Sequence, residues 1–346
     1  MKTPMLTRRA ALASAAGLAL TLPMSPLLSK PARSQQKHPV KVALDWTPNT
    51  NHIGLFVARD KGFYRDAGLE VEILPYTDTS AGTLVANHVA DFGIDGAIGL
   101  MTQRTAGADL VATYAIVQTE TGRLVFNADR DDIRSPRDLD GKTYGGFGSA
   151  WENALIGSLI RHDGGKGEFE TVTLGTSAYQ ALANGSVDFT LEVYTWEGVQ
   201  AELEGVKQRA FRYADYGVPD EHTTLLASSQ AFLNEKPDLA RAFLQATRKG
   251  YDFAVDHPGD AVDLMIAANS DALTNRALVE ASLKALIAGH YFRTNDGITG
   301  RIDPAKMTAI GNYLFQAKIL QDADGKALEA APDFTGYFTN TPLDAA

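Results

Sequence analysis

The stretch Leu44–Leu74, LDWTPNTNHIGLFVARDKGFYRDAGLEVEIL, follows the apolar run VKVA and hands a strand over to a polar loop, a helix and a second strand. The run IGLFVARDKG, Ile53–Gly62, has helical apolar spacing and stops at a glycine, whereas LEVEILPY, Leu69–Tyr76, alternates as a strand does. Such a unit predicts an α/β sheet with crossover helices, and in those sheets ligand crevices open beyond the carboxyl ends of the strands. The loop at that end holds Asp45, Trp46, Asn51 and His52. An acid, an indole, an amide and an imidazole gathered there point to a ligand mouth rather than a core.

Outward from this unit the alternation continues. TLVANHVA reads as a helix running into the strand ADFGI, and a second set of the same units begins near Asp138. There LDGKTYGGFG is turn, strand and glycine-rich loop. SAWENALIGSLIRHDGG is a helix with Ser149 as N-cap and Gly164 at its stop, and TVTLG is a strand. ALANGSVDFTL, Ala181–Leu191, echoes LVANHVADFGI, Leu84–Ile94, at a distance of 97 residues, which fits two lobes built on one plan. After Pro219 the texture turns helical, in PDLARAFLQATRKGYDFAVDHP, DALTNRALVEASLKALIAGH and DPAKMTAIGNYLFQAKIL. In the first of these Leu239, Phe243, Thr247, Gly250, Tyr251 and Ala254 form a core stripe. The polar tail after Asp333 is expected on the surface.

The 346 residues are 45% hydrophobic and 21% charged, ordinary for a soluble globular chain of one or two domains. Residues 1–34 differ: Lys2, Arg8 and Arg9 precede an apolar run from Ala10 to Leu22 that is broken by Pro23 and Pro26. This reads as a cleaved export signal, and Arg8-Arg9 after Thr7 resembles a twin-arginine signal, with the general secretory route as the alternative. The expected location is the periplasm. No cysteine occurs, which removes disulfides, thiolate metal sites, cysteine nucleophiles and a lipidated mature N-terminus. The segment 1–34 carries five basic residues and no acid, so its removal takes the formal charge from −10 to −15. An acidic protein without clustered Lys and Arg is a poor nucleic-acid binder.

Catalytic signatures are absent. Ser149 follows GGFG, but Phe147 and Trp151 stand where a nucleophile elbow needs glycines, and the same loop misses the dinucleotide fingerprint. None of the seven histidines sits at metal-ligand spacing, so neither a metal nor a cofactor is expected. His52 reads equally as a ligand contact and as a loop residue bonding the backbone. The tryptophans are more telling: Trp46, Trp151 and Trp196 all fall at expected strand ends, each beside acids, namely Asp45, Glu152, and Glu192 with Glu197. Indole and carboxylate together suit a flat, nitrogen-rich ring, by stacking and by accepting from ring amines. Ser149-Ala-Trp-Glu152 also fits a capping box, and Glu197 suits a first helical turn, whereas Glu192 before Tyr194 has no such alternative role. Amides of the loop Gly146, Gly148 and Ser149 are candidates to hold an anionic or carbonyl substituent.

The segments DWTPNTNHIGLFVARDKGFYRDAGLEVEI, VANHVADFGI, EVYTWEGVQAELEG and DYGVPDEHTTLLASSQAFLNEKPDLARAFLQATRKGYDFAVDHP resemble the pyrimidine-precursor branch of the periplasmic substrate-binding proteins. That branch includes the formylaminopyrimidine-binding component of a thiamine-salvage ABC importer and is related to binders of sulfonates and riboflavin. The resemblance, from Val40 to about Asp263, implies a two-lobed type II periplasmic-binding-protein fold. Each lobe would be a mostly parallel sheet flanked by helices, with a helical C-terminal part. Lobe I would comprise 38–125 plus 226–346 and lobe II 126–225, with crossings near Val125–Phe126 and Thr224–Leu226. A small heteroaromatic ligand would lie between the lobes of a monomer that docks on an inner-membrane permease. The family's contacts fall here on Trp46, Asn51, Tyr76, the Gly146–Ser149 loop, Glu192 and Trp196; Asp45, His52 and Tyr194 join them by placement. The same superfamily holds a thiamine pyrimidine synthase that uses its own histidine and a lysine-bound pyridoxal phosphate. At the positions matching that lysine and histidine this chain has Asp95 and Gly99, so the resemblance implies a binder and no enzyme.

Overall fold

A computed structural model describes residues 37–294 and 296–344; the expected export signal at 1–34 lies outside the described residues. In chain order the strands are β1 (His38–Ala43), β2 (Leu69–Leu74), β3 (Phe92–Asp95), β4 (Val111–Val117), β5 (Gly122–Asn127), β6 (Thr143–Gly146), β7 (Glu170–Thr173), β8 (Phe189–Val193), β9 (Gln208–Arg212) and β10 (Thr224–Ser228). They form two five-stranded sheets, ordered β2-β1-β3-β10-β4 and β7-β6-β8-β5-β9. The first three strands of each sheet pair in parallel, and the fourth, β10 or β5, is antiparallel to both of its neighbours. Each sheet is therefore mixed, with one reversed strand among otherwise co-directional ones, and helices flank both.

The reversed strand marks where the chain changes sheets. β4 belongs to the first sheet and β5 to the second, so the first crossing lies in 118–121 rather than at Val125–Phe126. The second lies in 213–223, between β9 and β10, rather than within Thr224–Leu226. The strands on either side of the crossings, β4, β5 and β10, are similarly apolar and largely buried, and apolar pattern alone carries no mark of which sheet receives a strand.

The internal echo is a structural repeat. Asp91 Oδ2 accepts from the backbone N–H of Lys41 at 2.8 Å, and Asp188 Oδ2 accepts from that of Thr143 at 2.8 Å. In each lobe the aspartate thus ties the third strand to the first, β3 to β1 and β8 to β6. His88 takes the left-handed turn (φ 59°) that Gly185 takes in the other copy (φ 75°).

The loop after β1 is anchored by helix packing. Helix Ile53–Asp60 crosses helix Pro237–Asp256 so closely that a Cβ on Gly250 would come within 2.0 Å of the Gly54 carbonyl oxygen. Phe243, Thr247, Gly250, Tyr251 and Ala254 are buried along the expected stripe, while Leu239 is half-buried at its end. Tyr251 also donates its hydroxyl to the Asn51 carbonyl at 2.6 Å, fixing the loop directly. The next expected helix starts later than its apolar pattern, at Arg276–Ala288 behind the N-cap Asn275. A further helix, Pro258–Ala268, was not apparent from the sequence.

Candidate functional site

The loop of residues 44–52 is ordered by its own side chains. Asn49 Oδ1 accepts from the Asn51 N–H at 2.9 Å, and His52 Nδ1 accepts from the Asn49 N–H at 3.3 Å. With Nδ1 accepting, His52 carries its proton on Nε2 and donates it to Asp45 Oδ1 at 2.9 Å. His52 is 1% exposed, so its role is to cap the turn and aim Asp45. Thr50 and Thr195, from opposite lobes, are linked through Ser282: its hydroxyl bonds Thr50 Oγ1 and donates to the Thr195 carbonyl.

Between the sheets lies a cavity of about 230 Å³. The first lobe contributes Asp45, Trp46, Asn49, Asn51 and Gly96; the second contributes Tyr144, Gly146, Phe147, Trp151, Glu152, Tyr179 and, from the turn after β8, Trp196 and Glu197. All three tryptophans thus converge. Trp46 meets Phe147 of the other lobe edge-on, ring centroids 5.3 Å apart, and is backed by Tyr76 at 5.6 Å. Tyr76 and His52 stand behind the wall and support it, without lining it.

Other expected contacts are elsewhere. Thr190, Leu191 and Val193 of β8 line the cavity and Glu192 between them does not, its side chain lying on the face opposite Leu191 and Val193. Glu192 therefore points away, pairs with Arg123 directly opposite it on β5, and is 1% exposed. Burial pushes its carboxyl up while Arg123 pulls it down. Tyr194 lies under the same guanidinium, 4.5 Å from its ring centroid, outside the cavity wall. Glu192 and Tyr194 are thus removed from the site, because strand alternation and an unseen arginine partner decided their direction.

The glycine loop is likewise already occupied. Gly148 has φ +70°, and a Cβ there would meet Thr173 Oγ1 at 2.6 Å, so the turn needs glycine for shape. Ser149 caps helix Ala150–His162, and Glu152 reaches back in a capping box. The Glu152 carboxylate accepts from the Ser149 N–H at 2.8 Å, the Ser149 hydroxyl at 2.9 Å, the Tyr144 hydroxyl at 3.1 Å and the Phe147 N–H at 3.3 Å. The loop amides expected to hold a ligand anion thus hold a carboxylate of the chain itself; of that loop's candidates only Gly146 lines the cavity.

The acid that takes the place of Glu192 is Glu197. Residues Tyr194–Gly198 form a single π turn, which brings the consecutive side chains of Trp196 and Glu197 to one cavity. The Val193 N–H donates to Glu197 Oε2 at 3.3 Å. Burial pushes the Glu197 carboxyl up to about 7; its backbone hydrogen bonds oppose this, and the charges of Glu192 and Asp45 add to it. Asp95, beside the lining residue Gly96, is likewise raised to about 7 by burial, against its hydrogen bond from Gln103 and with the Asp45 charge. Phe147 and Tyr179 also went unseen. The only trace of Glu197 in sequence was its place beside Trp196.

A protein-family model, NMT1/THI5 like, matches residues 49–261. This chain belongs to that family. Among relatives, it is 27% identical over 238 residues to the formylaminopyrimidine-binding protein of Halalkalibacterium halodurans, covering 67% of this chain and 71% of that one. It is 26% identical over 230 residues to the 4-amino-5-hydroxymethyl-2-methylpyrimidine phosphate synthase THI13 of Saccharomyces cerevisiae, covering 62% and 66%. The alkanesulfonate-binding protein SsuA of Xanthomonas axonopodis pv. citri, solved with MOPS bound, superposes with TM-score 0.63 at 14% identity, covering 83% of this chain and 96% of that one. The NMT1/THI5-like chain thus has the two-lobed α/β fold of periplasmic binding proteins.

Proposed function

We propose that this protein is a periplasmic receptor that captures a thiamine-related aminopyrimidine and delivers it to an ABC importer, after export through the signal at 1–34. It would act as a monomeric binder whose partners are the ligand and an inner-membrane permease. One observation carries the choice of ligand: among the described lining residues, aromatic rings and carboxylates gather and none is Lys, Arg or His. A sulfonate or phosphate ester brought there would lose its water without gaining a cation. A ring bearing N–H donors gains stacking, about 0.5–1.5 kcal/mol per aromatic contact, and charged hydrogen bonds of about 1.5–3 kcal/mol each. The volume of about 230 Å³ favours one ring over the three of riboflavin.

The relatives named as synthases motivate an enzymatic alternative. None of the described lining residues is a lysine, so they do not fit a lysine-bound pyridoxal phosphate. Incubation with pyridoxal phosphate tests that reading directly, since a specific, stoichiometric lysine aldimine absorbance would favour the enzyme. For the receptor, intrinsic fluorescence titration with 4-amino-5-hydroxymethyl-2-methylpyrimidine, thiamine, riboflavin and an alkanesulfonate is the test. All three tryptophans line the cavity, so the true ligand changes the signal strongly. Trp46→Ala is expected to weaken binding about tenfold or more. Unchanged affinity in that variant would retire the site.

A further inference from the structure

The cavity has more acid than a neutral ligand requires. Asp45, Glu152 and Glu197 line it, and Asp95 adjoins the lining at Gly96. Of these, Glu152 is saturated by four donors of its own loop and helix start, and Asp45 accepts from His52. Glu197 accepts only from backbone, the Val193 N–H on Oε2 and its own N–H. An independent feature points the same way: Asn51 is 7% exposed, lines the cavity, and its Oδ1 has no hydrogen-bond partner. A buried, orphaned acceptor costs free energy unless a donor arrives from the ligand. Acceptors with no cationic neighbour, walled by indole faces, are the surroundings that stabilise a positive charge.

We propose that this cavity selects its heterocycle as a cation, with Glu197 pairing with a protonated ring nitrogen and Asn51 Oδ1 accepting from an exocyclic amine. The inference rests on the receptor reading above and adds the charge state of the ligand. The groups that face Glu197 are Asp45 from the first lobe's loop, Glu192 with its partner Arg123 from the strands behind, and Tyr179 from the helix across the cavity. Arg123 is committed to Glu192 and no described lining residue is Lys, Arg or His, so among the described residues the positive charge is left for the ligand to supply. A neutral aminopyrimidine that meets protonated Glu197 reaches the paired state by moving one proton from the carboxyl oxygen to the ring nitrogen, with no net exchange with solvent. A ring that arrives already protonated displaces the Glu197 proton into the buffer. The burial that raises Glu197 to about 7 leaves a proton on a substantial share of these carboxyls near neutral pH, available to the ligand.

Two probes on one ring skeleton test this by calorimetry near neutral pH: 4-amino-5-hydroxymethyl-2-methylpyrimidine and its 2-trifluoromethyl analogue, whose ring nitrogens are far less basic. The basic probe is expected to bind about tenfold tighter or more, and Glu197→Gln to abolish that preference. Equal affinity of the two probes for the unaltered protein overturns the charge assignment while the receptor reading stands. Equal weakening of both probes by Glu197→Gln overturns it as well. If neither probe binds and an alkanesulfonate does, the receptor reading for aminopyrimidines falls, and this inference with it. The comparison of the two probes needs no variant, so a Glu197→Gln protein that fails to fold leaves the test intact.

Discussion

Glu192 and Glu197 are five positions apart in one strand-turn segment and have opposite fates. Glu192 sits on the reverse face of β8, in register with Arg123, and its charge is matched inside the second lobe. Removing one partner of a buried pair leaves an uncompensated charge, which typically costs about 3–5 kcal/mol. Arg123 retains 22% side-chain exposure, so water relieves part of that cost and Glu192→Gln is expected to lose about 2–3 kcal/mol. Ligand affinity should stay within about threefold. Chemical denaturation and a fluorescence titration on the same preparation separate the two effects. A tenfold loss of affinity at unchanged stability would return Glu192 to the site. In sequence both glutamates bracket Trp196, and although a first helical turn offers Glu197 an alternative role, nothing there tells which of the two faces the cavity. Only the pleat of β8 and the π turn after it distinguish them, and neither leaves a mark in residue type.

Elements explain which parts of the site were legible. The strand-loop-helix order of 38–60 is legible because the apolar period changes from two in β1 to about 3.6 from Ile53, a local signal. The capping box at Ser149 and Glu152 is also local, and it is present as read. The crossings were misplaced because they depend on partners a hundred residues away. Another non-local constraint is the contact of Gly54 with Gly250, which joins the two helices carrying the binding loop. A methyl group on Gly250 would overlap the Gly54 carbonyl and crowd Ala58, whose Cβ lies 2.9 Å from the added carbon. Overpacking of this kind typically costs about 1–3 kcal/mol. Gly250→Ala is therefore expected to lower the melting temperature and, by moving helix Ile53–Asp60, to weaken ligand binding too. If the melting temperature is unaltered, the close crossing is not a constraint on this fold.

At the scale of the molecule the two crossings lie side by side and are bonded to each other. The Glu120 N–H donates to Asp220 Oδ1 at 2.9 Å and the Thr121 N–H to Thr223 Oγ1 at 2.8 Å, so any relative motion of the lobes must work against these contacts. Glu221 is buried among them, 4% exposed, and its Oε2 has no partner. Burial first, then the neighbouring charges of Glu120 and Asp220, push its carboxyl well above the usual glutamate range. A raised carboxyl holds a proton in the folded protein that the unfolded chain releases. Its stabilising contribution is thus complete below the ordinary value of about 4.3 and is lost as pH rises through the raised one. Asp95 and Glu197, each near 7, act with the same sign. His222, buried beside Glu221 and lowered to about 4, acts with the opposite sign, costing stability as pH falls below about 6.5. Lys306 faces the same segment but is held by Asp220 at 2.6 Å, so it does not discharge Glu221. Glu221→Gln removes one term and leaves the others in place. The variant is accordingly expected to melt higher than the unaltered protein at pH 8, with the gap closing toward pH 4. Parallel melting curves across that range would mean that the buried carboxyl between the crossings carries no proton, and that the hinge is held by its threonine and aspartate contacts alone.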